Sequence, residues 1–159
     1  MNVRHARAEA EKLVRRFGYD TSDLPIDVRG VAKKLGLTVK DAVLDDDVSG
    51  LLVSKQGDDT THIFVNGNDR PVRKRFTIAH EIGHFVLGHE FEASGVHVDR
   101  GMHVIPRRAK LSKAEPKEVE ANQFAAALLM PSDLVHEAVD ALGLPLLTTT
   151  SLRLQKPFR

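Results

Sequence analysis

The sequence predicts an α+β fold in which N-terminal helices and a small antiparallel sheet support two buried helices that carry the polar residues of a site. Three observations predict it. Val3, Ala6, Ala10, Leu13, Val14 and Phe17 recur at helical spacing. Ser49 to Ser54 and Thr61 to Val65 are β-branched or apolar runs separated by a polar stretch, the pattern of an antiparallel hairpin. Phe76, Ile78, Ala79, Ile82, Phe85, Val86 and Leu87 then cover much of a helix circumference, which marks a buried helix.

Size and composition bound the rest. The 159 residues suit one domain with a proper core, read as 1–145, followed by a poorly ordered tail over 146–159. A formal net charge of +1 calls for neither nucleic acid nor membrane as the main partner. The absence of cysteine excludes disulfides and thiolate–zinc sites and fits a reducing interior. Met1 to Arg16 is too charged for a signal peptide, and the run from Phe124 to Met130 falls far short of the roughly 20 residues that cross a bilayer. The reading is a soluble, cytoplasmic protein.

In chain order, the first helix is amphipathic and stops at Gly18; Glu9 and Glu11 interrupt its basic residues, which disfavours nucleic-acid binding. A second helix starts near Asp23 or Pro25 and ends at Gly36, after which Leu37 and Val39 begin an extended segment. Lys33 to Leu37 faintly resembles part of a helix-turn-helix, but no recognition helix follows. Asp45-Asp46-Asp47 lacks the spacing of a calcium loop and reads as a solvated turn. After the hairpin, Asn68 and Asp69 can cap the buried helix, Pro71 fits its first turn and Gly88 can end it. His62 reads as an ordinary strand histidine. Residues 90–115 read as a loop, either a lid or substrate-binding segment or a solvated connection; His97 and His103 there have no supporting spacing.

The buried helix carries the chemistry. His80 and His84 are four residues apart, so both imidazoles can aim at one point outside the axis, and a zinc ion suits that point. Glu81 can take a proton from water without being a ligand. Two histidines and a carboxylate buried by accident would each cost free energy unless paired or metal-bound, which disfavours a chance arrangement. The spacing His-Glu-x-x-His is a zinc-hydrolase signature.

A second buried helix starts near Ala114 or Glu115 and ends at Met130, before Pro131. Glu118 and Asn122 share one of its faces. Glu118 can complete a two-histidine, one-carboxylate zinc set, with Glu120 as the runner-up, or both glutamates simply decorate a solvated first turn. Asn122 can accept the outer ring N–H of a zinc-bound histidine. A last helix runs from Asp133 to Leu142 with Ser132 as cap.

Arg75-Phe76-Thr77-Ile78-Ala79-His80-Glu81-Ile82-Gly83-His84, followed by Glu118-x-x-Ala121-Asn122-x-Phe124-Ala125 and Leu128-Leu129-Met130-Pro131, resembles the ImmA/IrrE family of zinc-dependent peptidases over roughly Pro25 to Leu142. The resemblance implies a compact gluzincin-type domain, zinc held by His80, His84 and Glu118, and Glu81 as catalytic base. It also implies a substrate: a helix-turn-helix transcriptional repressor of a mobile element or stress response. The alternative is a non-proteolytic zinc-containing protein that masks the repressor. Intact Glu81 argues against that alternative, because a structural site needs no base.

Overall fold

The computed structural model describes residues 2–54, 60–89, 96–99 and 115–143. The expectations for His103 and for the tail over 146–159 lie outside those residues.

Helix α1 (Val3–Arg16) begins where the Asn2 side chain accepts the His5 N–H at 3.0 Å, and the chain leaves it through Gly18 at φ 68°. Its buried stripe is Ala6, Ala10, Leu13 and Val14. Helix α2 (Val28–Lys34) starts later than expected. The carboxylate of Asp23 is spent on the Asp20 N–H, closing a short 3₁₀ turn over Thr21–Asp23, and Asp27 becomes the cap of α2.

Four strands follow: β1 (Thr38–Ala42), β2 (Gly50–Ser54), β3 (Thr61–Asn66) and β4 (Val96–Asp99), in the spatial order β1-β3-β2-β4. The hairpin is antiparallel as expected, with Leu52 opposite Ile63. The sheet as a whole is mixed, which corrects the antiparallel expectation: β1 runs parallel to β3, with Val39 opposite Ile63. The buried Asn66 amide donates to the carbonyls of Asp45 and Val48, at 3.2 and 3.0 Å, and so pins the connection that carries the chain from β1 past β3 into β2. Strand β4, antiparallel to β2, occupies part of the stretch expected to be loop.

Helix α3 (Pro71–Val86) has Pro71 in its first turn, but Arg70 stands at the cap position with no side-chain bond. Asp69 instead pairs with Arg73 at 3.2 Å, and Arg73 also donates to the Ser49 hydroxyl beside β2. Arg75 donates to the Ile26 carbonyl at 2.8 Å. These contacts fix the rotation of α3 about its axis. Helix α4 (Pro116–Leu129) ends before Pro131, and α5 (Ser132–Ala141) follows with Pro131, not Ser132, at its cap.

Helix α3 lies between the sheet and α4, and α4 lies between α3 and α1. Every residue from Thr77 to His84 is buried as a result, the all-round burial that its non-periodic sequence requires. Ile78 and Ile82 join Leu52, Ile63 and Val65 of the sheet and Phe124 and Leu128 of α4 in one core. No helix among the described residues is long and apolar enough to cross a membrane.

Candidate metal centre

Two glycines let α3 approach its neighbours. A Cβ at Gly83 would stand 3.1 Å from Phe124 Cδ1 and 3.2 Å from the Ala121 carbonyl, so α3 and α4 meet nearly backbone to backbone there. A Cβ at Gly50 would stand 2.4 Å from Thr77 Cγ2 and 3.2 Å from Glu81 Oε1, so β2 presses against the opposite side of the same helix. The crossing at Gly83 sets the first turn of α4 beside His80 and His84.

The site residues fall as follows. His80 Nε2 and His84 Nε2 lie 2.9 Å apart; Glu118 places Oε2 at 3.3 Å from the first and Oε1 at 3.4 Å from the second. Asn122, one turn after Glu118, sets Oδ1 3.0 Å from His80 Nδ1. His84 Nδ1 is engaged by His89 Nδ1 at 2.9 Å. Glu120 is not in the cluster: it reaches His89 Nε2 at 3.3 Å. Glu81 follows His80 about 100° around the helix and is fully buried on the side that faces Gly50. His97 sits on β4, paired opposite Leu52.

The donor set fits a divalent cation on its own chemistry. The amide oxygen of Asn122 only accepts, which assigns the His80 ring proton to Nδ1 and leaves the lone pair on Nε2 pointing inward. His84, engaged at its own Nδ1, also turns Nε2 inward. Two imidazole lone pairs and a carboxylate then converge, and one ligand atom from each of the three residues lies within 4.8 Å of the others. Four ligands at 2.0–2.1 Å from a tetrahedral ion stand about 3.3–3.4 Å apart. Both Glu118 contacts already have that spacing.

Glu118 is held as an anion by ring protons and positive charge facing it, the part that a bound cation would take over once both Nε2 lone pairs turn inward. Burial alone would raise the Glu118 pKa, but its contacts with the two imidazoles outweigh burial and hold the carboxyl well below the usual range. The group therefore remains an anion at the mouth of the cluster. The histidine side chains are only 3 % and 1 % exposed, whereas that of Glu118 is 30 % exposed, so the cluster opens to solvent on the carboxylate's side. Burial lowers the His89 pKa, and the Glu120 carboxylate offsets only part of that effect.

Sequence reasoning placed His80, Glu81, His84, Glu118 and Asn122 on these helices but gave no role to His89. The signal that could have found it is Gly88, whose φ of 63° turns the chain back over the end of α3.

Comparison with known proteins gives the same direction. Residues 32–144 match a peptidase family described as the IrrE N-terminal-like domain. The radiation response metalloproteases IrrE of Deinococcus deserti and Deinococcus radiodurans are 37% and 36% identical to this chain over 86 residues. Each alignment takes 51% of this chain but 26% and 23% of the relative, so the chain spans about a quarter of the length of these curated proteins.

Proposed function

The chain belongs to the IrrE N-terminal-like family of metallopeptidases, and from that premise we propose that it is a zinc-dependent endopeptidase of the gluzincin type, with a helix-turn-helix transcriptional repressor as its substrate. The observation that carries the reading is the convergence of His80, His84 and Glu118 from two helices beside the buried Glu81.

Zinc bound there would be held by the two Nε2 atoms and the Glu118 carboxylate. It would supply a Lewis acid for the scissile carbonyl and lower the pKa of water toward about 7. Glu81 takes the proton of the attacking water and delivers it to the departing amine. Asn122 keeps the His80 lone pair turned inward. An extended substrate has a strand edge to add to: β4 is the outermost described strand next to β2, its Asp99 is opposite Gly50, and a Cβ added at Gly50 would stand 3.2 Å from Glu81 Oε1. A peptide segment can add to such an edge through backbone hydrogen bonds. Cleavage of the repressor would free its operator.

The test is incubation of the purified protein, with zinc and with chelator, alongside its Glu81→Gln variant, with a helix-turn-helix repressor encoded near its gene. Cleavage by the zinc-loaded wild type alone supports the endopeptidase. An intact repressor that is nevertheless displaced from its operator equally well by Glu81→Gln identifies a masking protein and overturns the proposal.

A further inference from the structure

We propose that His89 and Glu120 form a positioning relay that holds His84 in the tautomer and orientation a divalent metal needs; the proposal rests on the metal reading above and deepens it.

The relay is built by the end of α3. Leu87 caps the helix, Gly88 follows with φ 63°, the Gly88 N–H bonds to the Phe85 carbonyl at 3.2 Å and the His89 N–H to the His84 carbonyl at 3.1 Å. These are the two bonds of a Schellman motif, which brings the residue after the glycine over the third residue from the helix end. Apolar side chains ordinarily fill that pair of positions. Here two imidazoles do, with ring centroids 4.9 Å apart and an interplanar angle of 71°.

The proton positions follow from the far end. A Glu120 carboxylate only accepts, so the proton of a neutral His89 ring is on Nε2, which donates to Glu120 Oε2 at 3.3 Å. His89 Nδ1 then carries a lone pair. It lies 2.9 Å from His84 Nδ1, which must be the donor, and the remaining lone pair of His84 is on Nε2, facing His80 and Glu118. Both rings are buried, so neither exchanges these partners for water. The other Glu120 oxygen accepts the backbone N–H of Asn2 at the start of α1, anchoring the relay to a third helix. The two ligand histidines are thus oriented by different devices, His80 by an amide on α4 and His84 by this imidazole–carboxylate pair.

The test measures zinc affinity by competition with a chromophoric chelator, and the absorption spectrum of the cobalt(II)-loaded protein, for wild type, His89→Ala, His89→Asn and Glu120→Ala. Loss of an outer partner of a ligating histidine costs about 10–100-fold in metal affinity, so His89→Ala should weaken zinc by that factor and alter the cobalt bands. His89→Asn keeps an acceptor oxygen where Nδ1 stands and should recover part of the loss. A purely structural role would show no such recovery. Glu120→Ala, which leaves both rings in place, should weaken zinc by a smaller factor, and it decides the matter even if His89→Ala does not fold. Wild-type affinity and spectrum in the folded His89→Ala and Glu120→Ala proteins would overturn the relay alone. A wild type that takes up no zinc would overturn the metal reading and the relay together.

Discussion

Gly50 of β2 lies against Glu81 of α3, close enough that a single added carbon would stand 3.2 Å from the Glu81 Oε1. The proposed base is therefore backed by strand backbone and has little room to turn away. Gly50→Ala should force β2 and α3 apart, because the added carbon also meets Thr77 Cγ2 at 2.4 Å. Overpacking of this kind costs about 1–3 kcal/mol. Thermal unfolding should show the loss of stability, and repressor cleavage should fall more than zinc content does.

Glu81→Gln separates proton transfer from metal binding. The amide has nearly the same shape but cannot accept the proton, and loss of a general base costs about 10²–10⁴-fold. Cleavage should fall within that range while zinc per chain, measured by mass spectrometry, stays as in the wild type. A parallel loss of zinc would mean that Glu81 is holding the site together instead.

Removing the ion should lower stability, because a ligand bound only by the folded state stabilises it by mass action. At free zinc about 1,000 times Kd this is about 4 kcal/mol, or on the order of 10 °C in midpoint for a chain of this size. Chelator should lower the unfolding midpoint of wild type by that order. It should leave Glu118→Gln, which lacks the anionic ligand, nearly unmoved.

Asp41 gives the pH dependence of the scaffold. It binds Lys74 of α3 at 3.1 Å and Arg29 of α2 at 2.9 Å. The Lys74 bond and the Arg29 charge hold its pKa below the ordinary 3.8 against the effect of burial. A depressed carboxylate stabilises the fold above its unfolded pKa and loses that contribution as pH falls through the folded value. Asp41→Asn should therefore be less stable than wild type at pH 6 and converge with it in acid. The groups are part-exposed, so the difference should be below about 1 kcal/mol and shrink with salt.

The parts legible in the sequence are those set by spacing along one helix. His80 and His84 share a face because they are four apart, and so do Glu118 and Asn122. Helix ends marked by Gly18 and Pro131 were equally plain. Pairings between distant segments are not: nothing in Thr38 to Ala42 states that it will lie parallel to β3, because that pairing joins residues 24 apart in the chain, such as Val39 and Ile63, and depends on the connection that the Asn66 amide pins through Asp45 and Val48. Strand β4 has four residues, too few for a pattern to stand out from the loop-like sequence around it. Asp69 does not cap α3 as its sequence position suggests, because its carboxylate pairs with Arg73 and Arg70 takes the cap position. His89 lay in plain view five residues after His84, but periodicity stops at a helix terminus, and only the reversal at Gly88 brings it back.

The crossing at Gly83 works as a calliper. The imidazoles are on one jaw and the carboxylate on the other, so the approach of the two backbones at Gly83 helps set the gap between them. Gly83→Ala, favoured by about 1 kcal/mol as a helix substitution, should open the jaws by a few tenths of an ångström against Phe124 and the Ala121 carbonyl. That widening approaches the difference between zinc bonds of about 2.0–2.1 Å and calcium bonds of 2.3–2.6 Å. If the site holds zinc as proposed, Gly83→Ala should bind zinc more weakly relative to larger divalent ions in competition titrations, so a position with no side chain would set ion preference.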